Sequence, residues 1–68
     1  MKQKVRLSFT ANVAVKVTVK VIKLIPRLGV CVYEVREFRP GEIDKMLLFT
    51  PDKYEALSYF ESYISKYI

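Results

Sequence analysis

The residues of this chain best suited to chemistry are the lysines and arginines that alternate with apolar residues along its strand-like segments. Valine occupies every odd position from Val13 to Val21, and Lys16 and Lys20 stand between the valines. Because a strand turns successive side chains to opposite faces, this spacing predicts one β-branched face and one cationic face. A cationic face attracts polyanions such as the phosphate backbone of a nucleic acid.

The charge of the chain is uneven along its length. The 68 residues include 12 Lys and Arg against 7 Asp and Glu, a formal net charge of +5. Residues 1–40 hold nine basic and two acidic residues (net +7), whereas residues 41–68 hold three basic and five acidic residues (net −2). The basic half is also the half with strand patterns, so the charge distribution favours a sheet that binds a polyanion.

Catalysis and metal binding have little support in the sequence. It contains no histidine, no glycine-rich phosphate loop and no G-x-S-x-G motif. Cys31 is the single cysteine, which predicts a small buried residue rather than a nucleophile. Glu34 and Glu37 would point to opposite faces of one strand, and Glu42 and Asp44 lie beside a turn with too few other oxygen ligands for a metal. We therefore expect no enzyme, no cofactor and no metal.

Period-two patterns and turn signals predict four strands. We expect strands at about residues 2–11, 13–25, 30–38 and 43–49, with turns at 26–29 and 39–42. The junction at Asn12 predicts either a tight turn or one long bent strand. The alternation breaks at Ile22, which predicts a bulge near Val21 or Ile22 that returns Lys23 to solvent.

A helix is predicted from about residue 52 to residue 67. Thr50 is expected as its N-cap, with Pro51 at the first helical position. The apolar band of this helix is wider than one sheet would cover, and 51% of all residues are apolar, which predicts a second subunit. The residues expected at the dimer interface are Tyr54, Leu57, Tyr59, Phe60, Tyr63, Ile64 and Tyr67.

The order of these elements predicts an α+β fold. Residues 1–68 would form a single β-β-β-β-α domain, a curved four-stranded antiparallel sheet followed by one C-terminal helix, present as a homodimer. No apolar run is long enough to span a bilayer, and no signal-peptide pattern is present, so we expect an intracellular protein without a membrane partner. Abundant Val, Ile, Lys, Glu and Tyr with few Asn and Gln is typical of a thermophile.

Most of the chain resembles a known family of DNA-binding domains. Tyr-Glu-Val-Arg-Glu-Phe at 33–38, a Pro-Gly turn, Lys-Met-Leu-Leu-Phe at 45–49 and Thr-Pro-Asp-Lys-Tyr-Glu-Ala-Leu at 50–57 carry the resemblance. They resemble the C-terminal domain of the positive cofactor four transcriptional coactivators, and the same topology occurs in Whirly-type proteins. The resemblance covers roughly residues 13–68 and implies a dimer that binds single-stranded DNA on its sheet faces.

The family's functional positions are matched only in part. Arg36 matches the family's strand arginine and Lys45 the lysine before the next strand, and both contact DNA in the family. Lys23 and Arg27 lie near the family's basic turn, but the aromatic-Lys-Gly-Lys sequence of that turn is missing here. Met46 stands where the family has glycine, and the turn at 39–44 is shorter and acidic.

Together these observations predict a non-enzymatic nucleic-acid-binding protein, with single-stranded DNA favoured over duplex, that acts in transcription or genome maintenance. Its location would be cytoplasmic or nucleoid-associated. Phe38 is expected to stack on a base. Phosphate contacts are expected from Lys16, Lys20, Lys23, Arg27, Arg36 and Lys45.

Other functions fit the same residues. Lysines on an exposed strand can simply keep its edge soluble. The chain would then be a protein-interaction module, such as a viral or plasmid regulator, that binds through its wide apolar helix face. A third possibility is an architectural protein that coats duplex DNA and inserts Leu28 from the turn.

Overall fold

The described part of the chain forms one antiparallel sheet followed by a helix. The computed structural model describes residues 2–12, 14–26 and 29–68. The sheet has the strand order β1-β2-β3-β4, and every neighbouring pair is antiparallel. This confirms the predicted α+β fold of four strands and one C-terminal helix. The elements are β1 (Lys2–Asn12), β2 (Lys16–Ile25), β3 (Val32–Phe38), β4 (Lys45–Thr50), α1 (Lys53–Ile64) and a short 3-10 helix (Ser65–Tyr67).

Helix α1 covers one face of the sheet, and the hydrophobic core lies between the two. We call this side of the sheet the helix face and the other side the open face. The three valines of β2 lie on the helix face, as the alternation predicts, and they and Val35 of β3 are at most 1% exposed. The buried core consists of Val17, Val19, Val21, Tyr33, Val35, Ala56 and Phe60.

The turn between β1 and β2 uses residues that the sequence pattern assigns to a strand. Strand β2 begins at Lys16 rather than at residue 13, and Asn12 is paired with Lys16. Ala14 and Val15 lie in the bend, where Val15 is exposed. The junction is therefore a tight turn and not one long bent strand. The valine repeat does not mark this reversal because valine carries no turn signal of its own.

The bulge predicted in β2 lies instead in β1. The register of β1 with β2 shifts between Val5 and Leu7, which leaves Arg6 as the extra residue. Strand β2 pairs with β3 without a shift, so Lys23 stays on the helix face, opposite Tyr33, and is half-buried. An extra residue disturbs one ladder in the edge strand β1, whereas in the central strand β2 it would disturb two.

The N-cap of α1 is Asp52 and not Thr50 as the sequence predicts. The Asp52 carboxylate accepts hydrogen bonds from the backbone N–H groups of Tyr54 (2.9 Å) and Glu55 (3.3 Å). Thr50 still ends β4, and its hydroxyl accepts a hydrogen bond of 3.1 Å from the N–H of Asp52. Pro51 therefore precedes the cap. Within the described ranges, no helix has the length and apolar character needed to cross a membrane.

Candidate nucleic-acid interface

Two of the predicted phosphate-binding lysines lie on the open face of the sheet. Lys16 and Lys20 occupy positions of β2 that alternate with the core valines. The Nζ atom of Lys20 lies 5.1 Å from the centroid of the Phe38 ring, which belongs to the neighbouring strand β3. This distance falls within the range of a cation–π interaction. The open face thus places a cation and an aromatic ring side by side.

Residues with hydroxyl groups occupy neighbouring positions on the open face. Ser8 is directly opposite Lys20, and Thr10 is directly opposite Thr18, with their hydroxyl oxygens 3.2 Å apart. Hydroxyls can hydrogen-bond to phosphate or sugar without adding charge. We call this part of the open face the lysine patch and define it as Ser8, Thr10, Lys16, Thr18, Lys20 and Phe38.

Arg36 shares the open face, but its charge is compensated. Its Nε and Nη2 atoms donate to the two carboxylate oxygens of Glu34, at 3.0 and 3.1 Å, and Nη1 donates to Asp44 at 2.6 Å. The hydrogen bond with Glu34 is the largest influence on the pKa of Arg36 and raises it; burial lowers this pKa, and Asp44 raises it further. The cluster has one positive and two negative charges, so it attracts phosphate less than a free arginine would.

Glu34 and Glu37 point to opposite faces, as the strand period predicts. Glu34 binds Arg36 on the open face, whereas Glu37 on the helix face accepts hydrogen bonds from Tyr63 and from Nε of Arg39 (2.8 Å). The two carboxylates cannot act on one substrate atom from opposite sides of a sheet. Among the described residues, no group of three or more His, Cys, Asp or Glu side chains is placed to hold a metal ion.

The sheet separates Lys23 and Lys45 from the lysine patch. Lys23 is directly opposite Tyr33, and Lys45 is directly opposite Glu37, so the register puts both lysines on the helix face. Arg27 lies outside the described residues, as does Leu28. Of the five expected ligands that the structure describes, three therefore share the open face, and they are Lys16, Lys20 and Arg36.

The residues expected at a dimer interface divide between the core and the surface. Phe60 is 5% exposed and belongs to the core of its own chain, while Tyr54 is 76% exposed. Tyr59 is also exposed, and its ring stacks on that of Tyr63 with 6.1 Å between centroids. Most of the apolar band of α1 thus packs within one chain. The homodimer stays a prediction. The expected interface residues that pack partly buried against the core are Leu57, Tyr63, Ile64 and Tyr67.

Sequence reasoning missed the ion pairs of Arg36, although part of the signal was present. Glu34 and Arg36 are two residues apart on one strand, a spacing that puts both side chains on the same face. This spacing is sufficient to predict their contact. The approach of Asp44 depends on how the chain reverses between β3 and β4, which no local pattern specifies.

Comparisons with protein families, curated proteins and solved structures find no match for this chain. A functional conclusion therefore rests on the chemistry of its own surfaces. Of the two sheet faces, the open face carries Lys16 and Lys20, and Lys20 lies beside the ring of Phe38.

Proposed function

We propose that this chain is a non-enzymatic protein that binds a single strand of nucleic acid, with DNA favoured, on the lysine patch. The observation that carries the proposal is Lys20 placed over the ring of Phe38, 5.1 Å from its centroid, on the open face. Lysines contact phosphates in a sequence-independent way, and aromatic rings stack on unpaired bases. A duplex keeps its bases paired, so the combination favours a single strand.

The spacing of Lys16 and Lys20 suits a nucleic-acid strand that runs along β2. Lys16 and Lys20 are four residues apart, which at the rise of a β-strand corresponds to about 13 Å. They would therefore contact different phosphates, while the hydroxyls of Ser8, Thr10 and Thr18 bind sugar or phosphate oxygens between them. Arg36 contributes less in this arrangement because Glu34 and Asp44 occupy three of its N–H groups.

The proposal agrees with the resemblance to the positive cofactor four domains in using a sheet face. It differs in the residues, since Lys45 and Lys23 lie on the helix face and Arg36 is ion-paired. A role in transcription or genome maintenance, and with it a cytoplasmic or nucleoid-associated location, belongs to the same proposal. A homodimer would double the number of phosphate contacts, and the exposed rings of Tyr54 and Tyr59 are available for it.

Fluorescence anisotropy with a labelled oligothymidine tests the role of the lysines. At about 50 mM salt we expect saturable binding that weakens steeply as salt is added. Replacing Lys16 and Lys20 together by Gln should lower affinity about tenfold or more. Replacing Lys4 and Lys45, which are exposed on the helix face, makes the same charge change and serves as the matched control. The proposal fails if the wild-type protein does not bind or if both double variants lose the same affinity.

A second pair of variants tests the aromatic contact. Phe38→Leu should weaken binding to the single strand by about 1–3 kcal/mol, the range for one stacked base, and leave duplex binding unchanged. Phe49→Leu is the control because Phe49 is also on the open face, in β4, and is exposed. A protein-interaction module acting through α1 would instead tolerate all of these changes and lose its partner when Tyr54 and Tyr59 are replaced by Ala.

A further inference from the structure

A cavity of about 160 Å³ opens on the helix face, on the opposite side of the sheet from the lysine patch. Helix α1 packs mainly on β2, β3 and β4. The part of the helix face that β1 contributes is therefore left largely uncovered, and the cavity lies between β1 and the start of α1. Its lining residues are Arg6, Leu7, Val21, Tyr33, Lys53 and Leu57.

The walls of this cavity combine an apolar surface with two cations. Leu7, Val21 and Leu57 supply the apolar surface, one residue each from β1, β2 and α1. Arg6 and Lys53 are exposed and come from different elements, the bulge of β1 and the first turn of α1. Two cations that converge on one apolar cavity are suited to an anion with an apolar body.

The charges of Arg6 and Lys53 are not compensated as those of Arg36 and Arg39 are. Within the described ranges, no carboxylate lies within ion-pair distance of either residue, whereas Arg36 and Arg39 are both paired with acids. Asp52 is next to Lys53 in sequence, but its carboxylate caps α1. The positive potential at the cavity is therefore available to a ligand.

Further lysines extend this basic region. Lys4 is directly opposite Lys23, and Lys23 is directly opposite Tyr33, which lines the cavity. Like charges placed directly opposite on neighbouring strands destabilise a sheet. A bound anion would offset this repulsion and would therefore stabilise the folded protein.

We propose that this cavity binds a small aryl anion, an aryl phosphate or an aryl carboxylate, as a free molecule. The anionic group would lie between Arg6 and Lys53, and the ring would pack on Leu7, Val21 and Leu57. The size agrees, since an apolar cavity of about 150 Å³ in another protein holds benzene. This site is separate from the lysine patch and does not depend on nucleic-acid binding.

Two-dimensional ¹H–¹⁵N NMR tests the site with phenyl phosphate and benzoate as probes and with benzyl alcohol and inorganic phosphate as controls. We expect saturable shifts of the amides of Leu7, Val21, Tyr33 and Leu57 with one or both aryl anions. Both controls should bind about tenfold more weakly, because each lacks either the charge or the ring. The relative affinity of the two aryl anions distinguishes a phosphate from a carboxylate ligand.

Variants then test whether Arg6 and Lys53 bind the anionic group of the probe. Arg6→Gln and Lys53→Gln should each weaken the binding of the better probe about tenfold, whereas Lys16→Gln, on the open face, should leave it unchanged. The dispersion of the spectrum reports whether each variant is folded. If Arg6→Gln disturbs the bulge, the test of the proposal rests on Lys53→Gln alone. The proposal is overturned if neither aryl anion saturates the site, if a control binds as tightly, or if folded Lys53→Gln binds like the wild type.

Discussion

The hydroxyl group of Tyr63 on α1 donates a hydrogen bond to the carboxylate of Glu37 on β3, and this bond crosses the interface between helix and sheet. Glu37 is only 5% exposed, and its other carboxylate oxygen accepts a hydrogen bond from Nε of Arg39. Each oxygen of the buried charge thus has a donor. The bond joins the C-terminal half of the helix to the sheet at a defined position, which apolar packing alone does not specify.

Replacing Tyr63 by Phe should destabilise the protein. The variant keeps the ring but leaves one oxygen of the Glu37 carboxylate without its donor, a loss of about 1–3 kcal/mol in the free energy of unfolding. Urea denaturation followed by circular dichroism measures this change. Tyr54→Phe removes the same atom from an exposed ring and should have no effect. Equal midpoints for Tyr63→Phe and the wild type would show that the bond contributes nothing.

The stability of the protein should fall in acid because of Glu37. Burial raises the pKa of this carboxyl, but the hydrogen bonds from Tyr63 and Arg39 and the charges of Arg39 and Lys66 bring it below its ordinary value of 4.5. A folded-state pKa below the unfolded-state value means that the stabilisation is present above the unfolded-state pKa. It is lost as the pH falls through the folded-state pKa.

Unfolding free energies measured between about pH 6 and pH 2 check this behaviour. In Glu37→Gln the side chain cannot titrate, so the decline in stability should be shallower than in the wild type. Glu61→Gln, an exposed position on α1, is the control and should keep the wild-type slope. An unchanged slope in Glu37→Gln would assign the acid sensitivity to other carboxylates.

The N-cap assignment predicts different results for two substitutions of one residue. Asp52→Ala removes the acceptor for the N–H groups of Tyr54 and Glu55 and should cost about 1 kcal/mol of stability. Asp52→Asn keeps a capping oxygen and should retain most of that stability. Thermal or urea denaturation of the two variants distinguishes them. Equal losses would mean that the charge near the helix N-terminus matters rather than the cap.

Releasing Arg36 should strengthen nucleic-acid binding if the lysine patch is the binding surface. Asp44→Asn removes one of the two carboxylates that hold the guanidinium, and we expect affinity for a single strand to rise about threefold to tenfold. Asp52→Asn changes the net charge equally but lies at the start of α1, so it is the matched control. Equal gains in the two variants would show an effect of net charge alone.

Much of the fold could be predicted from local patterns. The valine alternation specifies a strand and its buried face. The Pro-Gly pair specifies the turn between β3 and β4. In this turn Gly41 has φ +75°, and the N–H of Glu42 donates to the carbonyl of Arg39. The strand period also places Glu34 and Glu37 on opposite faces. These features depend on residues close together in the chain, so periodicity and turn chemistry are sufficient.

The bulge and the faces of the basic residues could not be predicted in this way. A single extra residue at Arg6 shifts the pairing of β1 without any change in the pattern of β2. The sequence predicts the same role, contact with phosphate, for Lys45 and Arg36. The register of β3 with β4 nevertheless puts them on opposite faces of the sheet. Pairing register depends on which residues meet across strands, and that choice is made by packing of the whole sheet.

The sequence by itself thus determined the four strands, the helix and the valine face that forms the core, because each follows from spacing within one element. Only the tertiary structure decided that Arg36 is held by Asp44, that Lys20 lies beside Phe38, and that Arg6 and Lys53 line one cavity. Those contacts join elements whose relative placement depends on register and packing, which the order of residues in one element does not contain.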